Sequence, residues 1–192
     1  MPTNRHVSHA TVDTYADVLI QAADNEGGRA AVVEVRNQLI DIQNVVNTNI
    51  KLSNSLDDDT MTVEQREQIA QGVFKDVNPA LANTIKVMAS RCEFHLLSRV
   101  KAAFEELIET KMNFSVVDVT TVVELDDNLR KLITEKAESD LGRECVLVEH
   151  IDPSIKGGII MSNRGRYVDA SLTTRLRRAN IVLRKKPIGG ER

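Results

Sequence analysis

Met112-Asn113-Phe114-Ser115-Val116-Val117-Asp118-Val119-Thr120-Thr121-Val122-Val123 is where the chain changes its period. Val117, Val119, Thr121 and Val123 recur at every second residue, the repeat of a strand whose side chains alternate between two faces. Just upstream, Leu97, Val100, Phe104, Leu107 and Ile108 fall at three- and four-residue steps and predict a long helix over 95–112. The switch at Met112-Asn113-Phe114 predicts two domains, one over 1–112 and one over 113–192.

Upstream of the switch every periodic segment reads as helix. Val12, Tyr15, Ala16, Leu19 and Ala23 form one stripe, and Val32, Val35, Leu39, Ile42 and Val46 form another. Gly27-Gly28 punctuates the two, as glycine pairs do at helix ends. Asn54 to Asp59 is polar and predicts a loop. Thr62 with Gln65 has the spacing of a capping box opening a further helix, with Ile69 and Val73 inside it. Asn78-Pro79 puts proline at a first helical position, followed by Leu81, Ile85 and Met88.

Downstream, residues 126–141 return to helix through Leu129, Leu132, Ile133 and Ala137. Cys145-Val146-Leu147-Val148 predicts a short strand, and Gly157-Gly158-Ile159-Ile160-Met161 another after a turn. A last helix is expected over 169–185, with Leu172, Leu176, Ala179 and Leu183 on one face and Arg175, Arg177, Arg178 and Arg184 around the rest. The fold class is therefore α+β and mainly α: a helical domain followed by a small α/β domain of strand, helix, strand, strand, helix.

Composition narrows the function. The chain has 192 residues, no Trp, and aromatics at 3%, so its core is built from Leu, Ile, Val and Ala. Lys and Arg against Asp and Glu number 11 to 16 over residues 1–113, 4 to 10 over 114–154 and 10 to 2 over 155–192. An acidic body thus ends in a basic segment that suits nucleic acid, an anionic surface or an acidic protein partner. No run of 18 apolar residues is present to span a bilayer. Cys92 and Cys145 lie too far apart in sequence to suggest a disulfide framework.

No catalytic constellation stands out. Gly157-Gly158 follows Lys156, the wrong order for a phosphate loop, and leads into an apolar strand; close backbone packing is the simpler role. Cys92 with His95, and His6 with His9, have ligand-like spacings but fall short of four converging zinc ligands, so Cys92 is expected in the core and His95 at the surface. Asp57-Asp58-Asp59 lacks metal-loop spacing. The basic C-terminal helix has only Tyr167 nearby as a stacking aromatic, which makes a free-standing nucleic-acid-binding protein the second reading.

Ile151-Asp152-Pro153-Ser154-Ile155-Lys156-Gly157-Gly158-Ile159-Ile160-Met161, continuing through Tyr167-Val168-Asp169-Ala170-Ser171-Leu172 to Arg175-Leu176, resembles the C-terminal signature of the ATP synthase delta subunit family, called the oligomycin-sensitivity-conferring protein in mitochondria. In that family Asp-Pro-Ser precedes a Gly-Gly pair, an apolar strand and then Asp-Gly-Ser. Here Ala170 replaces the Gly, which disfavours a left-handed backbone at that position. Tyr15-Ala16 resembles the family's Tyr-Ala start, with Thr14 in place of the usual Arg. Asn83-Thr84-Ile85-Lys86-Val87-Met88 resembles its fifth helix.

The resemblance implies a non-catalytic stator subunit of an F-type ATP synthase, with no cofactor and no metal. It implies a six-helix N-terminal bundle that binds N-terminal helices of alpha subunits on the catalytic head. It implies that the smaller domain binds the C-terminal region of the b-subunit peripheral stalk. Rotor torque is then coupled to ATP synthesis and proton transport. The implied location is the cytoplasmic face of the bacterial cell membrane, peripheral and reaching the membrane only through the complex. Tyr15, Val18 and Leu19 from the first helix and Asn83 and Val87 from the fifth are the expected partner-binding residues, with the Tyr15 hydroxyl kept wet. Asp152, Gly157, Gly158, Asp169 and Ser171 are expected to be architectural, with Asp169 or Ser171 capping the last helix.

Overall fold

The computed structural model describes residues 5–184, with side chains from His9 onward. The chain divides into two compact units, residues 1–112 and 113–192. The first is helical and the second holds a small mixed sheet with two helices.

The first unit begins with α1 (Arg5–Thr48), which is broken at Gly27 (φ −162°, ψ 17°) and Gly28 (φ 59°, ψ −142°). Only glycine adopts the second of these conformations at little cost, so the pair separates two helical halves whose stripes both face inward. Ala16, Leu19 and Ala23 of the first half and Val32, Val35 and Leu39 of the second are fully buried. They belong to the same core as Val100 and Phe104 of α5 (Leu97–Lys111), the helix against which α1 packs most extensively. Each buried Leu or Phe side chain contributes about 1.5–3 kcal/mol.

The segment after α1 differs from expectation. Asn54 to Leu56 is not loop but the last part of α2 (Ile50–Leu56), because Leu56 is fully buried and carries the helix to Asp57. α3 (Val63–Val73) opens with the capping box: Thr62 Oγ1 accepts from Gln65 N and Gln65 Oε1 accepts from Thr62 N. α4 (Pro79–Ser90) opens on Asn78, whose side chain accepts from Ala80 N. Arg66 of α3 is buried, and its guanidinium donates to the carbonyls of Asp58, Met61, Ala89 and Ser90. One cation thus gathers the loop before α3 and the C-terminal end of α4, where a positive charge also suits the helix dipole.

The second unit starts with β1 (Phe114–Thr121), then α6 (Asp127–Leu141) and β2 (Glu144–Ile151), which lies parallel to β1. A crossover helix is the ordinary way to join parallel neighbours. β3 (Ile159–Asn163) returns antiparallel on the other side of β1, and β4 (Arg166–Asp169) pairs with β3, giving the order β2-β1-β3-β4. Val117, Val119, Leu125, Ala137 and Cys145 form the core between sheet and α6, with Ile133, Leu147, Ile159 and Met161 against it. β4 has no counterpart in the periodicity of the sequence; Arg164 (φ 42°) and Gly165 (φ 80°) turn the chain into it through a two-residue hairpin loop. The final helix, α7 (Leu172–Arg184), therefore begins three residues later than expected and has no buried residue. Lys185 and Lys186 of the basic segment, and the rest of 185–192, lie outside the described residues.

Candidate functional site

The first half of α1 and α4 run antiparallel and leave a groove of about 560 Å³ between them. Its walls are tied together at both ends. At one end Asn78, the N-cap of α4, donates its side-chain amide to Glu26 Oε2 (2.7 Å) and its backbone N–H to Gln38 Oε1 (2.8 Å). At the other end Tyr15 donates its hydroxyl to Glu93 Oε2 (2.6 Å). Burial, and then the Glu93 carboxylate, push the Tyr15 hydroxyl up to a pKa of about 12.

Four of the five expected partner-binding residues line this groove: Tyr15, Val18, Asn83 and Val87. Val18 is 54% exposed and Val87 41% exposed, so their methyl groups face open space. Leu19 is 0% exposed and points into the bundle core. The helical phase explains the difference: positions 15, 18, 22 and 26 follow one face, while 16, 19 and 23 follow the face turned to α5. The Tyr15 hydroxyl is not wet as expected, since Glu93 takes it and the residue is only 9% exposed. Its ring still forms part of the wall. Ala22, Ala80, Thr84, Glu26 and Arg91 also line the groove; only the helical phase, read together with the pairing of α1 and α4, could have singled them out.

The signature residues of the second unit converge on the start of α7. Asp152 accepts from Ser154 N and Ser154 Oγ, both at 2.8 Å, and these bonds lower its pKa. Gly158 (φ 83°) lies so close to the next segment that an added Cβ would sit 2.4 Å from the Ala170 carbonyl oxygen. Gly157 O accepts from Leu172 N (2.9 Å) and Ile159 O from Ala170 N (2.9 Å), which explains that approach. Ser171 Oγ accepts from Thr174 N (3.2 Å) and caps α7. Asp169 accepts from Ser171 N (2.8 Å) and from Thr174 Oγ1 (2.6 Å), and these hydrogen bonds lower its pKa. Thr173, which the sequence did not single out, donates to Ile155 O (2.9 Å) and completes the joint. Ala170 does not have a positive φ.

Beyond that joint, residues 175–184 of α7 are exposed among the described residues. Leu176 is 63% exposed and Leu183 77% exposed, so the predicted apolar face exists but is not core. Arg175, Arg177, Arg178 and Arg184 lie on the same helix with no acidic residue among them. The combination is a basic amphipathic helix with no buried residue among the described ones.

Among the described residues no three His, Cys, Asp or Glu side chains gather as a metal site. The side chain of His6 lies outside the described residues, and His9 pairs with Asp13 at 2.8 Å. His95 is exposed at the surface near Asp57. Cys92, expected in the core, is half-buried with φ 55°, because it sits in the turn that ends α4. No helix among the described residues is long and apolar enough to cross a membrane.

The family described as ATP synthase delta (OSCP) subunit matches residues 12–183. An ATP synthase subunit delta of Prochlorococcus marinus is 30% identical over 173 residues, covering 89% of this chain and 94% of that one. Its counterpart in Flavobacterium johnsoniae is 26% identical over 162 residues, covering 84% and 90%. In fold, the chain is similar to one in a Toxoplasma gondii mitochondrial ATP synthase hexamer, with a TM-score of 0.50, 17% identity, and 91% and 98% of the two chains covered.

Proposed function

The chain belongs to the ATP synthase delta (OSCP) subunit family, and from that premise we propose how its two units divide the work of a stator. It is a non-catalytic stator subunit of ATP synthase. The helical unit docks on the catalytic head by taking an N-terminal helix of an alpha subunit into the groove between α1 and α4. With α1 divided at Gly28, we read that unit as the family's six-helix bundle. The second unit binds the C-terminal region of the b-subunit stalk through α7. The protein sits at the cytoplasmic face of the bacterial cell membrane, held there only through the complex.

The observation that carries this reading is the groove itself. Val18 and Val87 are exposed methyl-bearing side chains facing each other across a trough whose ends are pinned by hydrogen bonds. A pre-formed apolar trough between two helices is suited to an amphipathic helix. Pinned walls reduce the ordering cost on binding. The stator role needs no reactive centre: torque is resisted when two surfaces hold at once, and linkage through one chain raises the effective concentration of each contact. The nucleic-acid alternative finds no support in these comparisons.

The test is titration of the full chain with a synthetic peptide of the alpha subunit's N-terminal helix. Micromolar or tighter binding is expected, with Val87→Asp weakening it by at least about tenfold because a carboxylate is desolvated in the trough. A folded protein that ignores the peptide contradicts the proposal.

A further inference from the structure

The groove is apolar along its middle but carries opposite charges at its two ends. Glu26 lies at the end formed by Ala22, Pro79 and Ala80, and Arg91 at the end formed by Thr14, Tyr15 and Val87. Both are exposed. Glu26 is bonded to the neutral amide of Asn78, so its charge is not cancelled by a cation there. Arg91 stands beside Tyr15, and the Glu93 carboxylate that accepts the Tyr15 hydroxyl keeps its negative charge but does not line the groove. The helix dipoles do not erase this polarity. At the Glu26 end the first half of α1 finishes where α4 begins, and their opposite partial charges offset each other. At the Arg91 end the Glu93 carboxylate and the half charge at the α4 C-terminus are both negative, and Arg91 is the charged side chain that lines the groove itself.

We propose that Glu26 and Arg91 read the charge pattern of the docked helix, selecting one with a basic side chain at one end of its apolar stripe and an acidic side chain at the other. Tyr15 and Glu26 are eleven residues apart on α1, which at 1.5 Å per residue is about 16 Å or three turns. The matching charges on the occupant are therefore about eleven residues apart on one face, with apolar side chains between them meeting Val18, Ala22, Asn83 and Val87. The end charges fix register, because a one-turn slip along the smooth apolar trough would lose both contacts. They add specificity and association rate more than affinity.

This inference rests on the alpha-helix docking proposed above, and one titration separates the two. The full chain is titrated with the alpha N-terminal helix peptide at low and at high salt, as wild type, Glu26→Gln, Arg91→Gln and Val87→Asp, with helicity checked for each. Each charge-neutralised variant is expected to bind about threefold more weakly at low salt, and to match wild type at roughly 1 M salt, where screening reaches a few ångströms. If both match wild type at low salt while Val87→Asp fails to bind, the groove is used but its end charges are not read, and this inference falls alone. Losses that persist at high salt also overturn it, since they mark disturbed packing. If Val87→Asp binds like wild type, the docking proposal falls and takes this one with it.

Discussion

The two units expose apolar surface in opposite ways. The helical unit closes its core and keeps a narrow trough whose walls are fixed by Asn78–Glu26 and Tyr15–Glu93. The second unit completes a core on one side of its sheet and leaves an entire amphipathic helix, α7, with no buried residue. A trough excludes water from whatever enters it and sets its register. A bare helix can join a bundle whose other members come from elsewhere. The contrast implies that the first surface exists before its partner arrives, and that the second is completed by its partner.

The largest effects expected are those that separate core from surface. Phe104→Ala, at a fully buried position of α5, should cost the helical unit about 3–5 kcal/mol by urea unfolding. Leu176→Ala, 63% exposed on α7, should cost less than about 0.5 kcal/mol in the isolated protein yet weaken binding of a peptide from the C-terminal end of the stalk's b chain. A large stability loss at Leu176 would show that α7 is core after all, and would remove the contrast.

A second pair compares two glycines with positive φ. Gly158→Ala drives a Cβ to 2.4 Å from a backbone oxygen and should cost about 2–4 kcal/mol, since backbone must move. Gly28→Ala meets open space, and its cost of roughly 1–3 kcal/mol is conformational alone. Equal losses would mean that the close approach of β3 to the α7 joint is not what requires glycine.

Smaller effects concern protons. Tyr15 holds its proton to about pH 12 in the folded state, above the ordinary tyrosine value of about 10. Its contribution to stability is therefore complete below pH 10 and declines as pH rises from 10 towards 12. Alkaline absorbance titration should show one tyrosine lagging, and Tyr15→Phe should remove it. Asp169 behaves in the opposite sense, because its folded pKa is depressed. Its contribution is present above the ordinary carboxylate value and disappears as pH falls below it, so Asp169→Asn should flatten the acid limb of α7 unfolding.

Much of the fold was legible because local signals agreed. Thr62-Gln65 and Asn78-Pro79 mark helix starts by hydrogen-bond chemistry confined to a few residues. The seam Val32, Val35, Leu39, Ile42 and Val46 is buried along its length. What stayed hidden depends on distant partners or on short elements. The Tyr15–Glu93 bond joins residues 78 apart in sequence. Arg66 looks like any helical arginine until four carbonyls surround it. β4 has four residues, three of them exposed, so no burial pattern announces it. At the groove, sequence named Val18 and Leu19 together; only the packing of α1 on α5 turns one outward and the other in.

The most direct test of the central claim is residue-resolved NMR of the full chain, titrated separately with the alpha N-terminal helix peptide and with a peptide from the C-terminal end of the b chain. The alpha peptide is predicted to shift Val18, Asn83 and Val87 and leave α7 unmoved, while the b peptide shifts Leu176 and its neighbours and leaves the groove unmoved. Both ligands perturbing the same surface, or the alpha peptide acting only on α7, would contradict a stator that grips two partners with two separate faces.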